Sequence, residues 1–145
     1  MEKTQIIENI KVRSGGGLVE INDRSLRRIY VTIKKEALPK IARYLFNDVK
    51  ARFVTASGVD TRTGVEILYH FSIDKIGLMV SLRVILEKPG LEIESLTSIM
   101  KCAEWIEREI HEMLGVDFKG HPNLKHLLLK DDWPEGNYPL RRDQQ

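Results

Sequence analysis

The sequence predicts an α+β fold: an antiparallel or mixed β-sheet with helices packed on one side, followed by an extended C-terminal arm. Apolar residues alternate along residues 29–33, 65–73 and 78–86, the period of a strand with one buried face. They recur at steps of three and four over residues 36–49 and 95–114, the period of a helix with one buried face. Beyond Gly115 neither period continues, yet Phe118, Trp133 and Tyr138 remain.

In chain order, residues 1–17 form a peripheral N-terminal segment that ends at Gly15, Gly16 and Gly17, a flexible break. Ile29, Val31 and Ile33 then alternate with Arg28, Tyr30 and Thr32, and this is the first predicted strand. Leu38, Ile41, Ala42, Leu45, Phe46 and Val49 line one face of a helix over residues 36–49. Pro39 falls in its first turn, where a missing N–H costs little. A strand over residues 53–58 leads into the loop Asp60-Thr61-Arg62-Thr63-Gly64. Two further strands follow, separated by a turn at Asp74-Lys75-Ile76-Gly77, and Pro89-Gly90 closes the sheet region. Together the strands suggest an antiparallel meander.

The second helix is predicted over residues 95–114, with Ser95 as N-cap and Gly115 as C-terminal stop. Its apolar stripe is Leu96, Ile99, Ala103, Ile106, Ile110, Met113 and Leu114, with Cys102 at the edge. Trp105 lies roughly 140° from the centre of that stripe, among Arg108, Glu109 and Glu112, and a tryptophan on a polar face wants a partner. Residues 1–115 are therefore expected to form the α+β domain. Residues 116–145, with one short helix over 122–129, are expected to be an arm that lies on another subunit, since a disordered tail would lack large apolar side chains.

At 145 residues, 42% of them hydrophobic, the chain can bury one core of its own. Lys and Arg number 23 against 21 Asp and Glu, so a net charge of +2 gives no broad reason to bind nucleic acid. Cys102 is the sole cysteine, which excludes a disulfide framework and any cysteine-only zinc or iron–sulfur site in this chain. No secretory signal follows Met1, and the apolar runs fall far short of the roughly 20 residues that span a bilayer.

Candidate chemistry is sparse. His121 and His126 are five apart, and His111-Glu112 lacks the second histidine of the zinc-protease pattern, so no metal site is assigned and the histidines read as surface or interface groups. Cys102 reads as a small buried hydrophobe. Residues 14–17 lack the Lys and Ser/Thr of a phosphate-binding loop. Glu104, Arg108 and Glu112 are i,i+4 neighbours and read as a solvated charged face rather than an acid–base centre.

The run Glu107-Arg108-Glu109-Ile110-His111-Glu112-Met113-Leu114-Gly115-Val116-Asp117-Phe118-Lys119-Gly120-His121-Pro122-Asn123-Leu124 resembles the signature of the 30 kDa subunit of respiratory complex I. The likeness extends from about residue 23 to residue 143, through Asp132-Trp133 and Pro139-Leu140-Arg141-Arg142-Asp143. In Glu112-Met113-Leu114-Gly115 and in residues 132–140 it is most similar to relatives in energy-converting membrane-bound nickel–iron hydrogenases and sulfur reductases. The resemblance implies a subunit with no catalytic residues, cofactor or metal of its own. Iron–sulfur clusters, and in some members a nickel–iron centre, belong to partner subunits. It further implies that the chain packs on the large catalytic subunit, in an arm at the cytoplasmic face of the cell membrane, and touches the membrane only through partners. Trp105, Glu107, Arg108, Glu109, Glu112, Phe118, His121, Trp133, Tyr138, Arg141 and Arg142 are the expected interface residues, Arg and Trp being common interface anchors. Two other readings are the same subunit in a quinone- or phenazine-reducing NADH- or F(420)H(2)-type dehydrogenase, and a free-standing protein-binding domain.

Overall fold

A computed structural model describes residues 1–144. The larger sheet has five strands: β1 (Leu18–Ser25), β2 (Arg28–Ile33), β3 (Arg52–Asp60), β4 (Gly64–Ile73) and β5 (Leu78–Glu87), in the spatial order β1-β2-β5-β4-β3. β1 and β2 pair antiparallel, whereas β2 and β5 run parallel with Ile29 opposite Val80 and Val31 opposite Leu82. The sheet is therefore mixed, and the chain has the α+β class that the periodicities predict. The meander expectation holds in that β3, β4 and β5 are neighbours in order. β1 carries little apolar alternation and is mostly exposed, so its sequence gives no strand signal.

The chain divides into two compact units: Met1–Thr55 with Leu68–Val84, and Ala56–Ile67 with the residues from Ile85 onward. In the first unit the N-terminal segment is not peripheral. It forms helix α1 (Lys3–Ser14), whose Ile6 and Ile10 are completely buried, each burial stabilising by about 1.5–3 kcal/mol. Four residues apart, they fall on one face, and the intervening residues are polar enough to hide the pattern. Gln5 returns its side chain to the Glu2 N–H at 3.0 Å, half of a reciprocal cap on the first turn. The triple glycine is a short turn, with Gly15 at φ +52°. Helix α2 (Leu38–Arg43) starts with Pro39 in its first turn and continues through a wide turn over Tyr44–Asp48. Leu38, Ile41 and Leu45 fill this unit's core with Ile29, Val31, Phe71, Val80 and Leu82.

In the second unit, helix α3 is shorter than predicted. It spans Glu104–Leu114 behind a single tight turn over Lys101–Ala103, while residues 95–100 make turns. Ser95 is not its N-cap, because its hydroxyl is committed elsewhere. The helix ends at Gly115, whose φ of +79° and N–H bond to the His111 carbonyl are a left-handed stop. Strand β6 (Glu92–Glu94) pairs parallel with β7 (Asp117–Lys119), setting Ile93 opposite Phe118.

Residue 115 therefore marks no domain boundary. Phe118, expected on the arm's contact surface, is 2% exposed and belongs to this unit's own core. Residues 122–129 form no helix. The last residue assigned to the arm, Gln145, lies outside the described residues. Cys102 is exposed rather than part of an apolar stripe.

Candidate subunit interface around helix α3

Helix α3 is amphipathic, but its charged residues do not make the solvated face that their spacing suggests. Glu107 is completely buried. Its Oε1 accepts the Ser95 hydroxyl at 2.6 Å and its Oε2 the Leu96 N–H at 2.8 Å, pinning the turn before the helix. Burial pushes the Glu107 carboxyl upward, and those two donors and nearby His121 offset only part of the effect. The His121 ring is enclosed alongside. Its Nδ1 accepts the Asn123 N–H at 2.9 Å, so the proton sits on Nε2, which donates to the Glu104 carbonyl at 2.9 Å. The Gly-His-Pro element is thereby tied to the first turn of α3.

Glu112, 2% exposed, binds the returning chain. Its carboxylate accepts the backbone N–H groups of Leu127, Leu128 and Leu129 at 2.9, 2.7 and 3.3 Å, and His126 Nδ1 lies 3.3 Å away. Burial opposes its ionisation, but these donors outweigh that and hold the carboxyl below its ordinary value. Arg108, expected to face a partner, instead binds the two residues just before these, one turn back along the same face of α3. Its Nε donates to the Lys125 carbonyl at 3.1 Å and its Nη2 to the His126 carbonyl at 2.6 Å. Arg108 thus takes the two carbonyls of residues 125 and 126, and Glu112, one turn on, the three N–H groups of residues 127–129.

The last segment is fixed similarly. A Cβ at Gly115 would come within 2.6 Å of the Tyr138 ring, so glycine serves both the left-handed backbone and the aromatic packed on it. Arg141 donates to the Leu114 carbonyl at 3.1 Å, a cation at a helix C-terminus, and forms a two-pronged pair with Asp143. Arg142 contributes its backbone: its N–H reaches Asp60 Oδ2 at 2.7 Å, while Lys88 holds Oδ1 at 2.5 Å. Trp133 Nε1 closes its own turn on the Asn137 carbonyl at 2.7 Å. Asp60 and Lys88 escape sequence reasoning because each sits in a segment that reads as a plain turn.

What remains outward on α3 is a narrower set. Trp105 is 68% exposed, and Glu109 and Met113 follow at successive i+4 positions on the same side. Beside them lies an apolar groove of about 420 Å³ lined by Ala56, Gly58, Ile110, Met113, Leu114 and the exposed Leu140, with Glu109 its one charged group. Of the eleven side chains expected at an interface, Trp105 and Arg142 are exposed, and Glu109 and Trp133 are half-buried. Glu107, Glu112, Phe118 and the His121 ring are enclosed, and Arg108, Tyr138 and Arg141 are bonded or packed within the unit. Among the described residues no group of three or more His, Cys, Asp and Glu could hold a metal ion, and no helix is long and apolar enough to cross a membrane.

Residues 31–145 match the family model described as the respiratory-chain NADH dehydrogenase 30 kDa subunit. The chain belongs to this family. As a 30 kDa-type subunit it is 33% identical to the C subunit of the F(420)H(2) dehydrogenase of Methanosarcina mazei over 99% of this chain and 92% of the relative. It is 29% identical to the C subunit of the NADH-quinone oxidoreductase of Citrifermentans bemidjiense over 98% and 89%. The hydrogenase-4 component G of Escherichia coli is 28% identical, and the match spans 26% of that protein. In fold, this 30 kDa-type subunit is similar to a chain of the membrane-bound sulfane sulfur reductase, an archaeal respiratory membrane complex. The TM-score there is 0.84 at 21% identity, over 97% of this chain and 84% of the other.

Proposed function

We propose that this 30 kDa-type subunit is a non-catalytic part of the hydrophilic arm of a membrane-bound complex I-like oxidoreductase. There it braces the large catalytic subunit while electron transfer drives ion translocation. One observation carries the reading: the reactive-looking side chains of the signature, Glu107, Arg108, Glu112 and His121, are all engaged by backbone or hydroxyl groups of their own chain. A carboxylate saturated by backbone donors cannot also serve as a general base without releasing the segment it holds. The element is built to shape a surface.

In this reading α3 is the platform. Its outward face, Trp105 with Glu109, Met113 and the Leu140 groove, receives the large subunit, and Trp133, held in its own turn, extends that contact. Clusters and any nickel–iron centre sit in partner chains, the arm lies at the cytoplasmic face, and the complex is of the hydrogenase or sulfur-reductase type. The near full-length likeness to an F(420)H(2) dehydrogenase component favours a dehydrogenase as the second reading. Purifying the native complex through a tag on this chain, then identifying its subunits and metals, tests both. Nickel in the large subunit supports the hydrogenase type, while an F(420)H(2)-oxidising partner supports the second reading. Metal analysis of this chain alone should find no stoichiometric iron, nickel or zinc.

A further inference from the structure

The first unit carries a feature that the α3 platform does not use. Arg28 and Tyr30 alternate on one face of β2, and Ser81 and Arg83 alternate on the adjoining strand β5, where Tyr30 is paired with Ser81 and Thr32 with Arg83. Both guanidiniums crowd one ring: Arg83 lies 5.4 Å and Arg28 5.8 Å from the Tyr30 centroid, and Arg28 Nη1 donates to the Tyr30 hydroxyl at 3.0 Å. His70 Nδ1 lies 2.8 Å from the buried Ser81 hydroxyl. Arg24 adds a third positive charge close enough to act on Tyr30, whose hydroxyl is held below its ordinary value chiefly by the Arg28 hydrogen bond, with the charges of Arg28, Arg24 and Arg83 adding to it. The acids on the flanking strands of this face are Glu20 of β1, paired with Thr32, and Glu66 of β4, and neither forms an ion pair with Arg24, Arg28 or Arg83.

An ordinary solvated face would offset such charges with alternating carboxylates. Here no acidic side chain among the described residues pairs with Arg24, Arg28 or Arg83. Arg83 Nε is also buried with no acceptor among the described residues, a donor whose desolvation is left uncompensated. Guanidinium forks match carboxylates in geometry, and two forks on neighbouring strands suit successive acidic side chains of an extended segment.

We propose that this face of β2 and β5 is a docking surface for an acidic, extended segment of another protein chain, with Arg28 and Arg83 as its carboxylate forks and Tyr30 as the packing floor between them. That the segment belongs to a neighbouring subunit rests on the assembly reading above; the recognition chemistry does not.

The test uses the full chain and a fluorescent decapeptide alternating Glu and Ser, read by anisotropy, with a Gln/Ser peptide as control. The Glu peptide should bind at least about 10-fold more tightly, with affinity falling steeply as salt rises. The double variant Arg28→Ser/Arg83→Ser should lose about 10-fold, and Arg28→Lys/Arg83→Lys should fall between, because a point charge replaces a fork. Equal binding of the two peptides, or a double Ser variant that binds like the parent, would overturn the proposal. So would binding to phosphatidylglycerol vesicles without binding to the Glu peptide. If the Ser variant fails to fold, the Lys variant and the two-peptide comparison still decide it. No other subunit is in the assay, so its failure is separate from failure of the assembly reading.

Discussion

Replacing Glu112 with alanine should undo the fastening of residues 125–129. The carboxylate accepts two well-placed backbone N–H groups at 2.9 and 2.7 Å and a longer one at 3.3 Å, with His126 alongside. A hydrogen bond to a charged group is worth about 1.5–3 kcal/mol, but water can reach parts of residues 127–129 and recover some of that. The net loss is about 3–4 kcal/mol, a large fraction of the 5–15 kcal/mol typical of a domain. At this chain length that corresponds to a fall of about 10–13 °C in melting temperature. Calorimetry of the isolated chain measures it, and hydrogen exchange should show the amides of 127–129 changing from protected to fast. An Ala variant that melts with the parent and keeps those amides protected would refute the reasoning, because Glu112 would then not hold the segment.

Other outcomes follow from the same geometry. Glu107 and Glu112 should drive stability in opposite directions with pH. The lowered Glu112 contributes stability above its unfolded pKa that is lost as pH falls through its folded value, whereas the raised Glu107 weakens stability as pH climbs from its unfolded value towards its folded one. Glu107→Gln should therefore be milder at neutral pH than Glu112→Gln, since an amide can accept from Leu96 and donate to Ser95, but cannot satisfy three N–H donors; urea titrations across pH 4–8 read this. Trp105→Ala should leave the isolated chain within about 0.5 kcal/mol of the parent yet weaken assembly by about 2 kcal/mol or more, as titration against the large subunit would show. Deleting residues 131–145 should lower the melting temperature of the isolated chain, because it strips Tyr138 from Gly115, Arg141 from Leu114 and Arg142 from Asp60. A truncated chain that melts unchanged would make the segment a free arm after all.

What was legible in the sequence were the features written as periodic burial: the strands around Ile29, Val65–Ile73 and Leu78–Leu86, the helix through Ile41 and Leu45, and the amphipathic core of α3. β1 was not legible because both its faces are largely exposed, and α1 because two isoleucines amid polar residues make a weak stripe. The signature residues are legible in the sequence, but the direction in which each side chain points is not. Arg108 and Glu112 have the spacing of a surface ion-pair ladder, and spacing does not reveal that a segment some 15–18 residues later supplies backbone donors and acceptors to them, nor that Glu107 turns back to a hydroxyl and an N–H 11–12 residues earlier. Gly115 was legible as a helix stop, while its second role, making room for Tyr138, depends on a contact across more than twenty residues. The cation cluster at Tyr30 is spread over β2 and β5 and becomes visible once the parallel register is known.

The scaffold role proposed for this chain lies inside a larger oxidoreductase. Its most direct test is native mass spectrometry of the chain, tagged in its own cell and isolated from gently solubilised membranes. The scaffold reading predicts that it is recovered in one large assembly, with one large catalytic subunit per copy, and that the iron–sulfur clusters remain with other chains when the assembly is dissociated. Recovery as a free species at its own mass of 16.7 kDa, with no partner subunit, would contradict it.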